Sequence, residues 1–89
     1  MPAISRFHGM TIAMYYAPRE YPPPHFHVHK GDAEAMVLIE SGELHRGSLT
    51  TSDLAKITKW CQIHRAALLE NWSVAMSRSG PLNPIAPLP

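Results

Sequence analysis

The sequence predicts an α+β protein: a small antiparallel sheet of four to five strands, one long C-terminal helix packed on one face, and an extended Pro-rich tail. Three observations predict it. Residues 3–47 contain short runs of alternating side chains separated by glycine-bearing turns, the pattern of half-buried strands. Residues 52–77 change to a helical period. Proline concentrates in Pro18 to Pro24 and in Pro81 to Pro89, outside those elements. A length of 89 residues allows one domain, read as residues 1–80, with 81–89 as the tail.

Residues 3–16 read as a hairpin with its turn at His8-Gly9. Strand alternation then puts Phe7, Met10, Ile12, Met14 and Tyr16 on one face. Arg6, Thr11, Ala13 and Tyr15 fall on the other. Pro22-Pro23-Pro24 cannot supply ladder donors, so the next stretch reads as a loop. Residues 25–40 read as a second hairpin about Gly31-Asp32, a glycine-first turn. That register opposes His29 to Glu34, Val28 to Ala35, His27 to Met36 and Phe26 to Val37. Phe26, Val28, Ala33, Ala35, Val37 and Ile39 make an apolar face. His25, His27, His29, Glu34, Met36, Leu38 and Glu40 make the other. Ser41-Gly42 predicts a further turn into a strand over 43–47, with Leu44 opposite Ile39 and His45 opposite Leu38. Four histidines would then share one surface, although a slip of one residue would scatter them.

The helix expected over 52–77 is capped by Ser52 or Thr51, and Asp53 suits the positive end of its dipole. Leu54, Ile57, Cys61, His64, Leu68, Trp72 and Ala75 form its buried stripe, and Gly80-Pro81 stops it. Trp60 and Trp72 read as core or interface anchors. Laid across the apolar sheet face, this helix leaves the histidine face open to solvent, ligand or partner. Leu82, Ile85 and Leu88 are expected to fold the tail back on the domain.

Composition narrows the function classes. One cysteine, Cys61, rules out an internal disulfide and fits a reducing compartment. A net charge of +1 is not the balance of a dedicated duplex-DNA binder. No apolar run approaches the roughly 20 residues of a membrane span. Met1 to Arg6 lacks a signal peptide's order. These features predict a cytoplasmic protein.

The chemically distinctive segment is His25-Phe26-His27-Val28-His29. Three readings stand side by side. One is a metal site of His27, His29 and Glu34, since two imidazoles and a carboxylate suffice for a non-heme iron or related centre. The spacing is similar to the first ligand group of the cupin motif, but the preceding glycine and the second histidine motif are missing. A second is metal-free chemistry on RNA: paired histidines as acid and base, Arg6, Arg19 or Lys30 on phosphate, and Tyr15, Tyr16 and Phe26 stacking bases. The third is an exposed face that meets a partner protein.

Three segments carry a family resemblance. They are Pro2-Ala3-Ile4-Ser5-Arg6-Phe7 with Gly9 and Ile12-Ala13-Met14-Tyr15-Tyr16, then Pro23-Pro24-His25-Phe26-His27, then His64-Arg65-Ala66-Ala67-Leu68-Leu69-Glu70-Asn71-Trp72. In this order the chain resembles the bacterial domain-of-unknown-function 4160 family, most specifically in Pro-Pro-His-Phe-His. The resemblance implies a stand-alone small protein, often encoded beside another and regarded as a toxin–antitoxin component, commonly the toxin. It singles out Arg6, His25 and His27 as the catalytic candidates, with Glu34 as a further member. His29 departs from the family's usual polar or acidic residue there. The implied protein is a type II toxin acting on RNA or translation, ribonuclease-like if it is an enzyme, and neutralised by a cognate antitoxin encoded nearby. The alternatives are a non-enzymatic antitoxin or accessory module and a small metal-binding protein. Cofactor use and self-association stay open.

Overall fold

The computed structural model describes residues 2–89. Five strands precede two helices: β1 (Ala3–Phe7), β2 (Met10–Ala13), β3 (His25–Lys30), β4 (Ala33–Leu38), β5 (Leu44–Gly47), α1 (Thr51–Ile63) and α2 (Arg65–Ser77). The strands form one antiparallel meander in the order β1-β2-β3-β4-β5. No helix among the described residues is long and apolar enough to cross a membrane.

The two expected hairpin turns are present. His8 and Gly9 both take positive φ, 49° and 77°, so the turn twists with its strands. The β3–β4 register pairs Phe26 with Val37, His27 with Met36, Val28 with Ala35 and His29 with Glu34, as the glycine-first turn predicts. The β5 register differs. Leu44 faces Val37 and Arg46 faces Met36 across an irregularity, so His45 is exposed and Arg46 takes the place expected for it on the histidine face. The extra residue of a bulge restarts the alternation, which glycine and charge patterns do not signal.

The single long helix is corrected to two. His64 leaves helical geometry, with φ −111° and ψ 21°, although its N–H still bonds Trp60 O and its own carbonyl accepts from Leu68. No proline or glycine marks the kink. Tertiary contacts hold the second half in its new course: Arg65 Nε donates to Ile39 O, and Ala17 N–H donates to Ala75 O. The N-cap is Thr50, whose hydroxyl accepts from Asp53 N–H at 3.1 Å, one residue before the expected candidates. The helix ends at Arg78, in left-handed conformation, ahead of Gly80.

The core lies between the apolar sheet face and the helices. Phe26, Val28, Ile12, Val37 and Ile39 meet Ile57, Trp60 and Cys61, all 0% exposed. Trp60 is its centre, with its ring 5.2 Å from Phe7 and 5.6 Å from Phe26. Its indole N–H donates to Ala86 O, so a buried polar group is satisfied by the C-terminal stretch. Residues 81–89 contain no helix or strand, yet they dock tightly. Ile85 is buried and its N–H bonds Ile4 O, while Asn71 grips Asn83 through two hydrogen bonds of 2.9 Å.

Candidate functional site

The histidine face is covered, not open. β2 and β3 are neighbours, so residues 14–24 must leave the end of one strand and return to the start of the next. They fold back over β3 as they do so. Glu20, the only acid in that loop, is carried onto the histidines and is 5% exposed. His25 and His27 are two apart on β3 and so point the same way. They are 3% and 9% exposed, although alternation alone suggested a solvent face.

Both imidazoles converge on this one carboxylate. His27 Nε2 lies 2.7 Å from Glu20 Oε1, and His25 Nε2 contacts Oε2. The second nitrogen of His25, Nδ1, is 2.7 Å from Pro23 O. A carbonyl can only accept, so Nδ1 carries hydrogen. In a neutral ring Nε2 then holds the lone pair and aims it at a carboxylate oxygen. Such a pair is stable only with positive charge between the two atoms, either a proton or a metal ion. The other nitrogen of His27, Nδ1, has no direct partner and lies 3.9 Å from Glu34 Oε1, beyond a direct hydrogen bond.

Aromatic rings wall the cluster. Trp72 packs on His25 at 5.1 Å, and Tyr15 meets the His27 ring edge-on at 4.9 Å. The Arg19 guanidinium sits over the Tyr15 ring, 3.8 Å from its centre. An open depression of about 230 Å³ is lined by Glu34, Ala35, Met36, Arg46 and Gly47, of which Met36 is the cross-strand partner of His27.

Of the sequence candidates, His25 and His27 are brought together. Arg6 is exposed and faces Thr11, which faces His29, so it stands two strands, about 10 Å, from β3 and outside the cluster. The proposed ligand set His27, His29 and Glu34 does not converge. The His29 ring stacks 6.4 Å from that of His27, and Glu34 approaches only the outer nitrogen of His27. The convergent set is Glu20, His25 and His27. The expected stacking platform is also corrected. Phe26 is in the core, Tyr15 is covered, Tyr16 is half-buried with its hydroxyl donating to Gly80 O, and Tyr21 is the exposed aromatic of the loop. Lys30 is held by Asp53 at 2.9 Å.

Sequence reasoning missed Glu20. One signal was available: a lone carboxylate in a short loop that must end where the histidines begin.

The sequence profile of a domain of unknown function, DUF4160, matches residues 9–73. The chain belongs to the DUF4160 family. No curated protein and no solved structure matches it. The DUF4160 match takes in Glu20, His25 and His27 together with Tyr15 and Trp72, the rings that wall them, whereas Arg6 precedes it.

Proposed function

We propose that this DUF4160 protein is the toxin of a type II toxin–antitoxin pair, acting in the cytoplasm on RNA through its histidine cluster. The observation that carries the reading is the convergence of His25 and His27 on one buried carboxylate. Acid–base cleavage of a phosphodiester needs a proton acceptor and a proton donor, and a pair of imidazoles can supply both. His27 lies across from Met36, which lines the depression, and Glu20 fixes the orientation of its ring. Arg46, which lines the depression, and the exposed Tyr21 supply a cation for phosphate and a face for a base. Arg6 serves as a more distant phosphate contact. The lone, buried, reduced cysteine accords with a cytoplasmic setting. The toxin role itself comes from the family resemblance.

A non-enzymatic partner-binding module is the second reading. The exposed strand β5 favours it, because an unpaired edge can accept a strand from another protein. Growth on tightly induced expression in a bacterium tests the choice, with wild type beside His27→Ala at equal protein levels. The toxin reading expects arrest by wild type and none by the variant, with altered cellular RNA during arrest. Arrest with intact RNA would remove the RNA mechanism. Normal growth with tight co-purification of a partner would favour the binding module.

A further inference from the structure

We propose that Glu20, His25 and His27 form a binding site for one divalent first-row transition-metal ion. The two imidazoles bind through Nε2 and Glu20 through its carboxylate. The inference goes beyond the toxin reading and stands or falls on metal binding alone.

Charge sets up the argument. Glu20 has a side chain only 4% exposed, and no lysine or arginine pairs with it among the described residues. Lys30 is engaged by Asp53, Arg65 by Ile39 O, and Arg19 by the Tyr15 ring. A buried carboxylate without a fixed cation is costly. Its neighbours are two nitrogens, of which His25 Nε2 is a lone-pair atom in the neutral ring and lacks a well-formed hydrogen bond. One proton on His25 Nε2, with His27 in its Nε2–H tautomer, would satisfy these groups, and one divalent ion between both Nε2 atoms and the carboxylate satisfies them equally.

The outer nitrogens strengthen the case. Metal-bound histidines donate their second N–H to a carbonyl or carboxylate, which fixes the ring and its tautomer. His25 Nδ1 already donates to Pro23 O, and His27 Nδ1 lies 3.9 Å from Glu34 Oε1, the acceptor a small side-chain shift would give it. The ligand atoms of the three side chains all lie within 4.8 Å of one another. Two nitrogens and a carboxylate suit Zn²⁺, Fe²⁺, Co²⁺ or Mn²⁺ and are too few oxygens for Ca²⁺ or Mg²⁺. The thiol of Cys61 bonds Ile39 O and takes no part, so nothing favours a soft monovalent ion. Three protein ligands leave coordination positions for water or substrate, the pattern of a reactive centre instead of a structural one.

The test uses the full chain, stripped with chelator and dialysed, then titrated with Zn²⁺ by calorimetry and with Co²⁺ by visible absorption. Wild type should bind about one ion per chain, with a Co²⁺ spectrum of nitrogen and oxygen ligands. His25→Ala, His27→Ala and Glu20→Gln should each weaken Zn²⁺ binding by at least ~100-fold. Glu34→Gln should weaken it by about 10-fold. His8→Ala and His45→Ala, at exposed histidines, should bind as wild type. Failure of wild-type protein to bind either ion would overturn the proposal whatever the variants do, as would stoichiometric binding that survives in folded Glu20→Gln and His27→Ala. Arrest of growth by a protein that binds no metal would remove this inference and leave the toxin reading standing. Metal binding without toxicity would do the reverse.

Discussion

The two faces of the sheet are built from the same strands by the same alternation, but they are covered by different means. Phe26 and Val28 point into a core closed by α1, α2 and residues 81–89. His25 and His27 point to the opposite face and are closed by an eleven-residue loop that contributes a single acid, Glu20, with only Trp72 of α2 reaching round to His25. The first face is held by area, which is non-directional and tolerant of detail. The second is held by a few polar atoms in fixed positions, where each missing partner is expensive. Periodicity reports which side chains share a face. It does not report what comes to lie on it.

The comparison is broken most severely from the apolar side. Trp60 is fully buried between Phe7 and Phe26. Trp60→Ala opens a large cavity and orphans Ala86 O, so it should cost about 3–5 kcal/mol. Urea denaturation followed by far-UV circular dichroism measures the loss. A cost below about 1 kcal/mol would mean that the helix layer is not the main support of the sheet.

Glu20→Gln sharpens the comparison from the other side. The amide fills the same volume and can still hydrogen-bond one histidine, so no cavity forms. What disappears is the negative charge between two imidazoles. In the presence of chelator the variant should lose about 1–2 kcal/mol, the difference between charge-assisted and neutral hydrogen bonds. The same denaturation series reads it. A loss as large as that of Trp60→Ala would reverse the comparison and make the histidine face the principal support. No loss at all would show that the cluster contributes nothing to stability.

Legibility in the sequence follows the same division. The β3–β4 register was readable because Gly31-Asp32 fixes the turn, and one register sorts every apolar residue to one side. The first hairpin was readable from His8-Gly9 for the same reason. Three features do not follow from periodicity. The kink at His64 has no local signal and is held by Arg65 reaching Ile39 O. The β5 bulge shifts Arg46 into the place expected of His45. Glu20 joins the site only because the loop folds back, and neither strand nor helix period applies to a proline-rich loop. His25 and His27 were found by residue type, and their shared partner by structure alone.

The smallest expected effect lies where the sheet is tied to α1. Asp53 accepts from Lys30 Nζ at 2.9 and 3.2 Å and from nothing on the histidine face. The Lys30 hydrogen bond, chiefly, holds the Asp53 carboxyl below its ordinary value. The Thr50 hydrogen bond and the nearby charges of Lys30 and Lys56 assist, and burial opposes them. A carboxylate whose folded value is depressed contributes stability above its unfolded value and loses it as pH falls toward the folded one. Lys30 is 42% exposed, so water and salt screen the pair and the contribution is small. Asp53→Asn should therefore be slightly less stable than wild type at pH 7. The gap between them should close as pH falls through and below the ordinary carboxylate range. Comparing the two proteins at each pH cancels whatever they share and leaves the part due to Asp53. Urea midpoints from neutral to acidic pH, at low and high salt, measure the gap. A gap that stays constant with pH would assign the effect of Asp53 to helix capping geometry and remove charge from this junction.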